Sequence, residues 1–398
     1  MHDGSHRERL RPSASVRPRS PSIDGPATRA VTGATSIVRE MRNAIKIIVV
    51  AMITVLVTAS PAAAHGAAGA TASNFRTTIT NVQPSLDNIS IEVKEHGDRL
   101  QLKNKTGAEV IVLGYQSEPY LKITQTGIFE NRLSPAVYTN ANRFGNAEPP
   151  SFADATKPPE WHKISNGNVA VWHDHRAHWM SKTPPPIVEG DRSTSHVVIP
   201  QFTVPLLVNG KPASVEGKVE WFPPAPKWKW GMVALVAATV VAAVAVFGNK
   251  TAAIAVGISA LVAGDVIHVS GVLLGGAGRL QTRLGSAITS DLTSLIVWCT
   301  GVWVLIAVYR KQREVVAYAG LFTAAVVFLF GGLTDLPAMW DSQVVFGWPA
   351  WLARTVVATT VGAGIASVVT SALLVYGGSA RTRLRQTTDN NNGAAADE

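Results

Sequence analysis

The chain has 398 residues, 46% of them hydrophobic and only 16% charged, with 36 Lys and Arg against 27 Asp and Glu and one cysteine, Cys299. A charged fraction well under the soluble average of about 25% argues against a disordered chain or an ordinary cytosolic enzyme, and a single thiol excludes an intrachain disulfide framework and a four-thiolate zinc site. The net charge of +9 divides into +5 over residues 1–46, +1 over 65–228 and +3 over 229–398, so the central segment lacks the clustered basic charge of a nucleic-acid footprint, and no nucleic-acid partner is expected.

Residues 1–40 are rich in Arg, Ser and Pro without apolar periodicity, which predicts a disordered or mis-assigned N-terminal extension. At Met41 the character changes. Arg42 and Lys46 precede a short apolar run, Ile47 to Thr58, and small residues follow at Ala62 and Ala64. That order of basic, apolar and A-x-A segments predicts a signal peptide over 41–64, with Met41 the expected start and His65 the first mature residue. An uncleaved anchor is the alternative, and it too leaves the next segment outside the cell.

Over 65–226 no apolar run is long enough to cross a bilayer. Short alternating stretches appear instead, at Ile89–Val93, Leu100–Leu102, Val110–Val112, Tyr120–Ile123, His196–Ile199 and Val215–Trp221. Period-two alternation punctuated by Gly, Pro and Asn predicts half-buried antiparallel strands, and Asn209-Gly210 predicts a tight hairpin turn. The expected fold class is an all-β sandwich, immunoglobulin- or cupredoxin-like, with residues 140–159 an irregular excursion. Pro223, Pro224 and Pro226 then make a stiff linker, and Trp228 and Trp230 mark a membrane interface.

Five apolar segments follow, near 230–247, 251–274, 286–309, 315–333 and 350–376, which predicts a five-helix transmembrane domain over 227–378 and a disordered cytoplasmic tail over 379–398. If the β-domain lies outside, Arg310, Lys311 and Arg313 fall inside, as do Arg381, Arg383 and Arg385. Arg279 and Arg283 fall in an outer loop and break the rule. The expected location is the bacterial cell membrane, multi-pass, with the lipid bilayer as the first partner.

Two groups of residues carry chemistry. In the run WHDHRAHWM, His173, His175 and His178 occur within six positions, and on an extended strand His173 and His175 share one face. Imidazole suits Cu, Zn and Ni, and a mature terminus at His65 adds a free amine and a fourth ring. Asp174 points the other way on such a strand, and Arg176 can pair with it. Met180 is a soft donor for Cu(I). Histidines between tryptophans also serve as plain packing, and His96, His162 and His196 are expected to be ordinary isolated histidines. In the membrane, Asp265 and His268 are one turn apart on the second span and Asp291 lies near the outer end of the third. Ionisable groups at that depth are functional candidates by default, with interhelical packing the alternative. Asp335 is expected at the interface.

The plan of signal peptide, AHG start, β-domain with WHDHRAHWM and EGKVEWFPP, and several spans resembles an uncharacterised family of bacterial membrane proteins, a likeness carried also by EPYLKI and SPAVYTN. His65 is similar in position to the N-terminal copper ligand of CopC-type copper-resistance proteins. His65-Gly66 with His173-x-His175 resembles the copper ligands in the B subunit of particulate methane monooxygenase. These resemblances imply copper ligation. They do not extend to the rest of the outer domain, so they imply no oxygenase, and no H-E-x-x-H, phosphate loop or G-x-S-x-G occurs.

The expected function is therefore extracytoplasmic copper binding in copper acquisition, delivery or tolerance, without catalysis, in company with other copper-handling envelope proteins. Two alternatives stand beside it: a structural or partner-binding membrane subunit, and an ion or metal permease using Asp265, His268 and Asp291.

Overall fold

A computed structural model describes residues 72–394 apart from Asn142, Asn146, Lys182 and Asp291. The expected extension, the signal peptide, His65 and Asp291 therefore lie outside the described residues.

Ten strands form two antiparallel sheets: β1 (Phe75–Gln83), β2 (Ile89–Lys94), β3 (Arg99–Asn104), β4 (Val110–Leu113), β5 (Pro119–Ile123), β6 (Ile128–Asn131), β7 (Trp161–Ser165), β8 (Val169–Trp172), β9 (His196–Val208) and β10 (Lys211–Trp221). The larger sheet runs β1-β10-β9-β4-β5-β6-β7 and the smaller β2-β3-β8. Alternation sets which side chains meet. Leu100 and Leu102 of β3, Val110 and Val112 of β4, and Val204 and Leu206 of β9 all enter one apolar core shared by both sheets. Asn209 and Gly210 both take positive φ, as a two-residue turn between β9 and β10 requires. The described residues between Asn140 and Trp161 form turns and irregular coil, as expected.

Among the described residues, five helices are long and apolar enough to cross a membrane: α1 (Lys227–Gly248), α2 (Lys250–Gly275), α4 (Leu292–Tyr309), α5 (Arg313–Leu333) and the first part of α6, Ala350–Gly377. Leu280–Ser290 is helical too (α3), and the expected third segment, 286–309, runs over the end of α3 and the whole of α4, on either side of Asp291. The helix α6 continues to Ala394, through most of the segment expected to be disordered. Extending a helix already formed needs no new nucleus, and Arg, Leu and Gln are good helix formers.

The β-domain sits on two loops of the bundle, 276–279 and 334–349. Ser73 and Gln343 exchange both backbone hydrogen bonds, at 3.0 and 2.8 Å. The Asn74 side chain donates to Asp341 at 3.1 Å and accepts from the Ser342 N–H at 2.8 Å. His96 Nε2 lies 2.8 Å from the Val344 carbonyl. On the other loop, the Gly278 N–H donates to Gln101 at 2.8 Å, and Arg279 donates to the Asn166 carbonyl and the Asn168 side chain. Gly167 leaves room for that guanidinium, because a Cβ there would collide with it. Loops after the second and fourth apolar helices thus share a side of the bundle with the β-domain, the arrangement that strict alternation requires.

Candidate functional site

The segment from Trp172 to Met180 is not an extended strand. β8 ends at Trp172, and His175–Ala177 form a tight helical turn capped by Asp174. The expected sharing of a strand face by His173 and His175 is therefore corrected. Its cause is Asp174, a fully buried carboxylate that needs donors. It accepts from Trp172 Nε1 at 3.2 Å, from the Arg176 N–H at 3.2 Å, and from Arg176 Nε and Nη2 at 2.7 and 2.8 Å. A side chain that offers the backbone this many local bonds outcompetes the sheet ladder. Arg176 also donates to the Leu113 carbonyl at 3.1 Å and lies over the Tyr115 ring. The expected Asp174–Arg176 pair is present.

The turn brings the three histidines together on its outer side. The His175 and His178 rings are 5.5 Å apart, and the His173 and His178 rings 6.4 Å. His175 stacks on Tyr115, whose hydroxyl accepts from the His175 N–H at 3.0 Å. Burial, with the Asp174 charge, pushes that phenol up to about 12, so it stays protonated. Gly145 passes so close to the His175 ring and the Met180 methyl that a Cβ there would collide with both.

Burial dominates the electrostatics of the cluster. It lowers both His173 and His178 to about 4, helped at His173 by Arg99 and at His178 by Arg143. Each guanidinium has its own carboxylate: Arg99 lies 3.2 Å from Glu95, and Arg143 pairs with Asp98. Both rings are therefore neutral at pH 7, and His173 Nδ1 and His178 Nε2 are buried without a hydrogen-bond partner. Neutral imidazoles with an idle nitrogen are what a soft or borderline metal requires. Among the described residues, no three His, Cys, Asp or Glu side chains are already arranged to hold an ion.

The depressed values also set an acid limit. A histidine at about 4 in the folded chain and near its ordinary 6.5 when unfolded makes the unfolded state bind more protons between those values. Stability is thus complete above pH 6.5 and falls as the pH drops toward 4. Melting temperature is expected to decline over this interval. Replacing His173 and His178 with Gln is expected to flatten the decline, by up to about 1.4 kcal/mol per pH unit for each ring.

In the membrane bundle the polar residues make contacts between elements. Asp265 accepts from Trp298 Nε1 at 2.7 Å, and His268 Nε2 lies 3.5 Å from Asp335. Asp335, expected only at the interface, is the histidine's partner; no periodicity relates residues 67 positions apart. A cavity of about 670 Å³ joins the two regions, with Arg99 and His173 on its β-domain wall and Asp265, His268 and Asp335 on its helical wall. Arg279 and Arg283 also line it. Their one sequence signal was the broken charge rule.

Comparison with protein-family models, curated proteins and solved structures finds no match to this chain.

Proposed function

We propose that the protein is a membrane-anchored copper-binding protein of the bacterial cell membrane, with its two-sheet domain, a β-sandwich, on the outer side. It takes up copper through His173, His175 and His178, with His65 as a further ligand, for acquisition, delivery or tolerance and without turnover. The observation that carries this reading is the pair of neutral imidazoles, half-buried His173 and buried His178, each with a buried, unpartnered ring nitrogen and each near another ring. A purely structural histidine cluster has no reason to leave both nitrogens idle, because an unmade hydrogen bond at a buried polar atom costs about 1–3 kcal/mol. Metal binding requires rotation of the three rings, of which His178 lies within 6.4 Å of the other two.

The test uses the full chain in detergent. Titration with Cu(II), and with Cu(I) under reductant, is expected to load about one ion per chain with nitrogen ligation in the paramagnetic spectrum. Joint replacement of His173 and His178 by Ala is expected to lower affinity at least about a hundredfold. Copper content at background in the native chain, or unchanged in the double variant, ends the proposal. A variant that loses only thermal stability favours the partner-binding subunit instead.

A further inference from the structure

Arg279 and Arg283 stand on the side of the bundle that faces the β-domain, where the charge rule disfavours them, and both line the large cavity. Their hydrogen bonds go only to neutral oxygens. Arg279 donates to the Asn166 carbonyl at 3.3 Å and to the Asn168 side chain at 3.0 Å. Arg283 donates to the Leu273 and Leu274 carbonyls, and its Nε is buried without a partner. Among the described residues neither guanidinium has a carboxylate within 4.0 Å. The two intramembrane carboxylates of the same cavity are engaged elsewhere, Asp265 by Trp298 and Asp335 by His268, and Glu130 belongs to the β-domain wall.

Two positive charges in a partly enclosed space, with hydrogen bonds to neutral oxygens and no carboxylate in contact among the described residues, are costly, and an anion beside them recovers much of that cost. The helical wall of the same cavity also carries Val272, Val297, Val327, Phe330 and Val357 of four different spans, beside Asp265, His268 and Asp335. Its volume of about 670 Å³ falls within the range of roughly 300–1,000 Å³ that encloses a small ligand. The guanidiniums favour negative charge and the apolar side chains favour hydrocarbon.

We propose that the cavity binds an anionic amphiphile, a lipid-like molecule whose phosphate or carboxylate head meets Arg279 and Arg283 and whose hydrocarbon body lies against Val297, Val327 and Phe330. The cavity shares His173 with the proposed copper cluster, whereas the head-group contacts, Arg279 and Arg283, are separate from it.

The full chain in a neutral detergent is titrated with lysophosphatidylglycerol, lysophosphatidylcholine and glycerol phosphate, and bound molecules are counted by native mass spectrometry. The anionic lysolipid is expected to bind at least about tenfold more tightly than the zwitterionic one. Arg283→Gln is expected to remove that preference and Arg283→Lys to keep it, while Val297→Trp, which fills space beside the apolar side chains, is expected to weaken both lysolipids. Melting curves show whether each variant is folded. Equal affinity for the two lysolipids in the native chain overturns the proposal without recourse to any variant. So does glycerol phosphate binding as tightly as the lysolipid, which marks a site for a free anion, and so does a preference that survives Arg283→Gln in a folded protein.

Discussion

Asp174→Ala is expected to destabilise the β-domain by about 3–5 kcal/mol, read by denaturant unfolding followed through tryptophan fluorescence. Three consequences combine. The Arg176 guanidinium loses its ion pair while it remains largely enclosed beside Tyr115. The Trp172 indole N–H loses its acceptor in the core, and the turn at His175–Ala177 loses its cap. Removing both charges tests this account, because a buried pair replaced by apolar groups is often nearly neutral. Asp174→Leu with Arg176→Met is thus expected to regain a large part of the loss, short of the full amount, since the indole is still unpaired. The single variant also frees the segment that gathers the three histidines, so the copper affinity proposed above is expected to fall together with its stability. An Asp174→Ala protein as stable as the native chain contradicts the central place of this carboxylate.

Gly362→Val is expected to have the largest effect in the bundle. A Cβ at Gly362 would collide with the Ala234 backbone of α1, and backbone atoms cannot rotate away as a side chain can. α1 and α6 therefore have to separate, with a loss of about 1–3 kcal/mol or more, seen as a lower melting temperature in detergent. Two other glycines set the scale. Gly364→Ala meets Phe328 Cβ at 3.1 Å, a milder approach that a few tenths of an ångström relieve, so a smaller loss is expected. Gly231→Ala faces open space and is expected to be silent. Equal effects at all three positions contradict close α1–α6 packing.

Much of this architecture was legible from periodicity. β10 alternates almost without a fault, Asn209-Gly210 marks its turn, and the five apolar runs correspond to five long helices. β1, β6, β7 and β8 were not legible: β6 and β8 are only four residues long, and β1 and β7 are the two edges of the larger sheet. An edge strand has one neighbour and a solvated side, so β7, with His162, Lys163, Ile164 and Ser165 all exposed, carries no clean apolar signal. The histidine cluster was legible as composition but its backbone was not. Alternation suggested a strand, whereas the demand of Asp174 for donors folded the chain into a turn. The pairing of His268 with Asp335 and the arginines of the cavity arise from tertiary placement alone, which no local pattern encodes.

The first and last strands of the β-domain are neighbours, with Phe75 opposite Trp221 and the Phe222 N–H bonded to the Asn74 carbonyl. The domain thus leaves and rejoins the rest of the chain at one spot, like a loop insertion grown into a module. A few flexible residues in place of 75–221 would close the gap without stretching either flank. The shortened protein would keep all five spans while exposing the roof of the cavity to solvent, which allows the contributions of the bundle and of its cover to be measured one at a time.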